Sequence, residues 1–276
     1  MNMASIFEQT QQLPHIPRVV QELMQSFQDD DVDVDEVSSK VAMDQALTAK
    51  VLRLANSAHY GASRSVANTN DAIVLLGFNT LRTMVLASGV TSSFKAPEGF
   101  DMNAFWKQSF AIGELSKWIA QYIPKAENET AFTCGMLNSI GSLLMRIVLP
   151  DEVKSIDEAE ALGGKRHSLE RGKFGFDGAK VGAELAKRWK FPDEMLAAIN
   201  DQNNPDFDQE YGVYAGIIYI AKYLHDAHQE DWEEAQIINQ FPLAVAQSIG
   251  MDAEKAYQDV ASTTDLESGL DALLDD

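Results

Sequence analysis

Apolar residues recur at intervals of three and four along almost the whole chain, and no stretch alternates convincingly as a half-buried strand would. The pattern predicts an all-α protein. Val19, Leu23, Met24 and Phe27 form a first stripe, with Pro14 and Pro17 ahead of it as start signals. Val34, Val37 and Val41 form a second. Asp44 stands where an N-cap belongs for a third helix, carried by Leu47, Val51 and Leu54. The stripe Ala72, Ile73, Leu76 stops at Gly77, and Leu81, Met84, Val85 and Ser88 continue toward Phe94. These short helices predict an N-terminal helical bundle lobe over residues 1–95.

The clearest break is Lys95–Met102, where Pro97 and Gly99 interrupt the periodicity and no apolar stripe persists. After it, Asn103 is expected to cap a long helix bearing Phe105, Ile112, Leu115 and Ile119. A further helix is expected from about 129 to 148, interrupted at Gly135 and Gly141. Val181, Leu185 and Trp189 mark another, stopped at Phe191-Pro192, and Val213, Ile217, Ile220 and Leu224 mark one more. Gly163-Gly164 reads as a helix cap and turn. Trp106, Trp118 and Trp189 read as core anchors. Together these predict a second helical lobe over 103–262, followed by an acidic tail, 263–276, that is either a weak amphipathic helix or a frayed end.

Charge narrows the function. With 22 Lys plus Arg against 42 Asp plus Glu, the net charge is −20, which disfavours non-specific binding to nucleic acid or to a membrane surface. Residues 1–5 lack the basic start of a secretory signal, and runs such as Met84–Ala87 and Gly216–Ala221 fall short of the roughly 18 residues a bilayer span needs. The expectation is a cytoplasmic protein. Cys134, the single cysteine, lies in an apolar stretch and is expected to be a buried thiol. No Gly-rich phosphate loop and no zinc-ligand spacing is present. His225 and His228 are three apart and could hold a metal only with further ligands, and the acidic residues after them favour a solvated C-terminal turn.

One segment is more specific. Residues 44–61 read Asp-Gln-Ala-Leu-Thr-Ala-Lys-Val-Leu-Arg-Leu-Ala-Asn-Ser-Ala-His-Tyr-Gly, followed by Asn70-Asp71-Ala72-Ile73-Val74-Leu75-Leu76-Gly77 and preceded by Leu13-Pro14-His15-Ile16-Pro17. This combination resembles the HDOD family, the HD-related output domains of bacterial signalling proteins, and the agreement extends over most of residues 13–225. The resemblance implies an N-terminal helical bundle packed on an HD-like helical lobe. It singles out Asp44, Arg53, Asn56, Ser57 and Gly77 as family-motif residues. Arg53, Asn56 and Ser57 either serve recognition or simply end the helix, with Arg53 snorkelling or paired internally.

The resemblance also implies where metal ligands stand in active HD phosphohydrolases, whose imidazoles and carboxylates hold a divalent ion that activates water. At those places this chain has Gln108, Asn138, Ser139 and Lys222. Two further histidine positions fall on Gly178 and on Gln202-Asn203. Amides and a hydroxyl have little affinity for Mg²⁺ or Mn²⁺, and an ammonium repels them. The expectation is a non-catalytic bacterial signal-transduction module without a cofactor, acting on a protein partner in trans or a small regulator. The degenerate positions either persist for the fold or line a pocket that binds an anion without cleaving it. The rival is a metal-dependent phosphohydrolase with a relocated or degenerate site; its one dense carboxylate cluster in the first lobe, Asp29-Asp30-Asp31-Val32-Asp33, reads better as a solvated helix start.

Overall fold

The computed structural model describes residues 2–8, 13–25, 34–56, 66–204 and 212–269. Phe27, the Asp29–Asp33 cluster, Ser57 and residues 270–276 lie outside the described residues, as do the side chains of Val19, Leu23, Met24, Val34, Val37, Leu54 and Ile73. Among the described residues every regular element is a helix. The first part of the chain holds α1 (Ala4–Glu8), α2 (Arg18–Gln25), α3 (Val34–Met43), α4 (Gln45–Ala55), α5 (Thr69–Leu76) and α6 (Phe78–Ser93). Then follow α7 (Met102–Ala120), α8 (Asn128–Met136), α9 (Ile140–Val148), α10 (Pro150–Ala161), α11 (Arg166–Phe174), α12 (Gly178–Arg188) and α13 (Asp193–Asp201). The last are α14 (Gly212–Gln229), α15 (Glu234–Gln240), α16 (Leu243–Ser248), α17 (Ala253–Asp259) and a 3₁₀ helix, Val260–Gly269.

Local chemistry explains the boundaries. The Asp44 carboxylate accepts from the Leu47 amide at 3.0 Å and caps α4, as its position predicts. Gly77 ends α5 and opens α6 with φ of 80°, a left-handed conformation that costs glycine nothing. The cap of α7 is not Asn103 but Asp101, whose carboxylate accepts from Ala104 N at 2.9 Å. Asn103 lies inside the helix, and the aspartate two residues earlier takes the free amide. After α10, Gly163 N and Gly164 N donate to the carbonyls of Glu160 and Ala159 at 2.8 and 3.1 Å, the cap and turn expected there.

The core is continuous from Ile6 to Val260, so the two lobes share it. Phe94 closes the end of α6 and meets Trp106 and Trp189 edge-on, at ring separations of 5.9 and 6.1 Å. Residues from the N-terminus reach the second lobe: Trp189 Nε1 donates to the Pro14 carbonyl, and Arg188 stacks over the Phe7 ring. Between α6 and α8, Thr83 Oγ1 donates to Glu129 at 2.7 Å, and Lys117 from α7 pairs with the same carboxylate at 2.6 Å. Cys134 is fully buried, and burial pushes its thiol well above the usual range.

Several expectations need correction in the second lobe. The stretch Asn128–Val148 is long and apolar enough to cross a membrane by length and composition, but 78% of that window is buried in the fold. It breaks between α8 and α9 at 137–139, not at Gly135 or Gly141. Those glycines serve close approach instead. A Cβ on Gly141 would collide with the backbone of Gly178 and Gly182, so α9 and α12 touch main chain to main chain. His225 is buried, and His228 meets Thr263 Oγ1 at 3.0 Å. The pair therefore does not form a solvated turn, because the chain from Asp252 onward folds back over α14 and α7. Thr263 is itself fully buried, so the segment expected to be a tail begins inside the fold.

Candidate functional site

The break between α8 and α9 makes the site. Asn138 Nδ2 donates to the Gly135 carbonyl at 2.7 Å and so ends α8 with its own side chain. Ser139 opens α9, but its hydroxyl caps nothing; it donates to Asn138 Oδ1 at 2.6 Å. From the end of α13, Gln202 Nε2 donates to the Asn138 and Ile199 carbonyls at 2.8 and 2.9 Å. From α14, Lys222 Nζ donates to Asn203 Oδ1 at 2.8 Å and lies 3.5 Å from Gln202 Oε1. Four elements thus converge on one polar cluster, each member bonded to the next.

The cluster forms one side of a cavity of about 950 Å³. Gln108, Asn138, Ser139, Gln202, Asn203 and Lys222 all line it, so six positions scattered over 115 residues meet in one place. Gly178 is the exception. It lies behind the wall, where a Cβ would strike Ser142, and its amide donates to Glu170 Oε2 at 2.7 Å. The described first-lobe motif residues, Asp44, Arg53, Asn56 and Gly77, are not among those that line the cavity. Asp44 and Gly77 shape helix ends. Arg53 is exposed, and Asn56 forms two reciprocal bonds with the Val66 backbone, at 2.8 Å each, which fasten the return of the chain after α4.

Sequence reasoning missed a cationic stretch of the wall. Arg146, Lys165, Arg166 and His167 line the cavity there, and Phe100, Phe105, Tyr219 and Tyr223 line it too. Asp157 fastens this wall, bidentate to Arg146 at 2.5 and 2.7 Å and bonded to Arg166 at 2.8 Å. The arginines lower the Asp157 carboxyl in spite of its burial, which acts the other way. Arg166 also reaches Glu160 and Glu170, yet its buried Nη2 has no hydrogen-bond partner among the described residues. Burial lowers the Lys222 ammonium from its usual range, while Asp226, Asp177 and Glu170 act to raise it. Desolvation, with Lys222 and Arg171 next in weight, holds the His167 imidazole below its ordinary value. No helical period or short motif linked Arg146, Arg166 and His167 to the cluster, because Arg146 stands on α9 while Arg166 and His167 reach the cavity only after the chain has passed through α10 into α11.

A divalent ion does not suit this donor set. The first-named positions supply two amides, a hydroxyl and an ammonium, and Asn138 and Ser139 are already bonded to each other. Among the described residues no group of three or more His, Cys, Asp or Glu comes together that could hold a metal.

The family model described as HDOD domain matches residues 13–205, well over half of the chain. The chain belongs to the HDOD family. This HDOD chain is similar over 99% of its length to the full crystal structure of a Shewanella amazonensis SB2B protein named “Putative phosphohydrolase”, at 32% identity and a TM-score of 0.82. It also shares the fold of an HDOD domain protein of unknown function from Geobacter sulfurreducens, at 20% identity and a TM-score of 0.79, with 97% of each chain covered. The cyclic di-GMP phosphodiesterase CdgJ of Vibrio cholerae is 30% identical over 189 residues, which is 58% of this chain and 42% of CdgJ. The HDOD chain spans 41–42% of the length of the curated relatives it matches.

Proposed function

We propose that this HDOD chain is a regulatory module in signal transduction that binds a small regulator in the cavity without hydrolysing it, and passes the bound state to a protein partner. The observation that carries the reading is the hydrogen-bonded cluster of Gln202, Asn203, Lys222, Asn138 and Ser139 on the cavity wall. An HD enzyme needs at this place a metal that lowers the pKa of a water. Here Lys222 presents an amino group bonded to Asn203 instead, and the amides present donors and acceptors suited to recognition. The cavity is open and large enough for a metabolite-sized ligand. Its walls come from α7, α9, α11, α13 and α14 and the segments beside them, so a ligand there would tie together helices that the partner could read from outside.

The names of the Shewanella and Vibrio relatives favour a rival, a phosphohydrolase whose metal site lies elsewhere or persists in weakened form. Elemental analysis of the gently purified full chain, paired with turnover of bis(p-nitrophenyl) phosphate with and without EDTA, separates the two. The binding reading expects no stoichiometric Fe, Mn or Zn and no EDTA-sensitive turnover. Turnover abolished by EDTA would establish the rival.

A further inference from the structure

A second hollow, an open groove of about 730 Å³, runs along α12 and α13 and shares no residue with the polar cavity. Lys180, Ala183, Glu184 and Lys187 follow one another at helical spacing on one face of α12 and line it. Leu196, Ala197 and Asn200 do the same from α13, which the short turn 189–192 joins to α12. Ala183, Leu196 and Ala197 are only half-buried, as is Met3 beside them, so the groove shows apolar surface that the fold leaves uncovered. A trough between two helices is a shape that receives a further amphipathic segment.

Charge sets this face apart. The chain carries a net −20, yet residues 171–190 hold Arg171, Lys173, Lys180, Lys187, Arg188 and Lys190 against two carboxylates, Asp177 and Glu184. Both carboxylates are already engaged, Asp177 with Arg171 at 2.7 Å and Glu184 with Arg188 at 2.9 Å. Asp201, at one end of the groove, accepts from Asn200 at 2.6 Å. Lys180 and Lys187 are exposed, and among the described residues neither ammonium has an ion-pair partner. The groove therefore suits a segment that is apolar on one side and carries carboxylates for two lysines.

The chain itself supplies that chemistry. Residues 270–276, which lie outside the described residues, read Leu-Asp-Ala-Leu-Leu-Asp-Asp. Leu270, Leu273 and Leu274 have the i, i+3, i+4 spacing of one helical face, and Asp271, Asp275 and Asp276 fall on the other. The 3₁₀ helix Val260–Gly269 that leads to them packs on α7, and its Thr263 meets His228 of α14. Neither α7 nor α14 lines the groove, so the segment departs from elements other than those it would have to reach on its own chain.

We infer that the groove is an interface between copies of this chain: it receives residues 270–276 of a second copy, leucines against Ala183, Leu196 and Ala197, carboxylates against Lys180 and Lys187. Reciprocal exchange of the segment closes the assembly as a dimer. The inference concerns a different face from the cavity and stands or falls separately from the binding reading.

The test is sedimentation velocity of the full chain over about a hundredfold range of concentration. Wild type is expected to sediment faster as concentration rises. Leu273→Ser with Leu274→Ser should weaken self-association about tenfold or more. Lys180→Glu with Lys187→Glu should weaken it about fivefold, and adding Asp271→Lys with Asp275→Lys to that chain should restore it. Should the glutamate pair lose helicity by circular dichroism, wild type in about 0.5 M NaCl supplies the charge arm, with weakening again expected. A fluorescein-labelled peptide of residues 265–276 serves as the direct probe. It is expected to bind the full chain carrying Leu273→Ser and Leu274→Ser, and to dissociate the wild-type assembly. Self-association indifferent to the leucine pair or to the charge arm would overturn the inference, as would a peptide that does not bind. A wild type that stays monomeric at every concentration while the peptide binds the leucine variant would put the segment on its own chain, and would equally overturn it.

Discussion

The first lobe and the second both carry residues that mark the HDOD family, but the two sets do different work. Asp44, Asn56 and Gly77 are consumed by the fold: one caps α4, one fastens the return of the chain to Val66, and one turns it between α5 and α6. Gln108, Asn138, Ser139, Gln202, Asn203 and Lys222 come from distant parts of the sequence and converge on open space. A motif that stays local in sequence is cheaply explained by secondary structure. Distant positions that meet at a cavity, several of them bonded to one another, are better explained by what the cavity holds.

The sharpest way to break this comparison lies beneath the cavity, in the α9–α12 contact. Gly141→Ala forces a methyl group into the backbone of Gly178 and Gly182, neither of which can move without moving its helix. A loss of about 3 kcal/mol in urea denaturation is expected. A loss below about 0.5 kcal/mol would show that the helices are not in main-chain contact.

Glu114 tests the seam near the first lobe. It is buried on α7, and burial raises its carboxyl to about 7, with Lys117 opposing and Glu129 adding to the rise. Its folded-state value lies above the unfolded one, so the folded chain holds the extra proton between about 4.5 and about 7. Stability therefore falls as pH rises through that window, and the cost of ionisation is fully present above about 7. Glu114→Gln should be close to neutral near pH 4.5 and stabilising by about 2 kcal/mol at pH 8. Thermal melts across this range check it, and an equal effect at both ends would refute it.

The smaller effect belongs to the first lobe. Asn56→Ala removes both bonds to Val66 and one to the Leu52 carbonyl, and should cost about 1–2 kcal/mol. Ligand binding should be unchanged. A variant of full stability that lost binding would place Asn56 in recognition and erase the contrast between the lobes.

The legible part of the molecule was the periodic part. Ile217, Ile220 and Leu224 on α14, and Ile112, Leu115 and Ile119 on α7, are all buried as their spacing predicts. Trp106, Trp118 and Trp189 are buried anchors, and Cys134 is inert in the core. Family resemblance located six of the seven cavity candidates, which periodicity could not have done. What escaped was set by tertiary contact. The break at 137–139 depends on Asn138 bonding back to Gly135, and the burial of Thr263 depends on His228 across the fold. The cationic wall had no signal at all, since Arg146 and Arg166 meet only through Asp157.

The central claim is that the donor set, and not the scaffold, separates this cavity from a metal site. The direct measurement is Mn²⁺ titration by calorimetry of the wild-type chain beside the quadruple variant Gln108→His, Asn138→His, Ser139→Asp and Lys222→Asp. The account predicts no saturable Mn²⁺ binding by the wild type and a new saturable site in the variant, even if no hydrolysis follows. One equivalent of Mn²⁺ taken up by the wild type, and lost on Asn138→Ala, would contradict it.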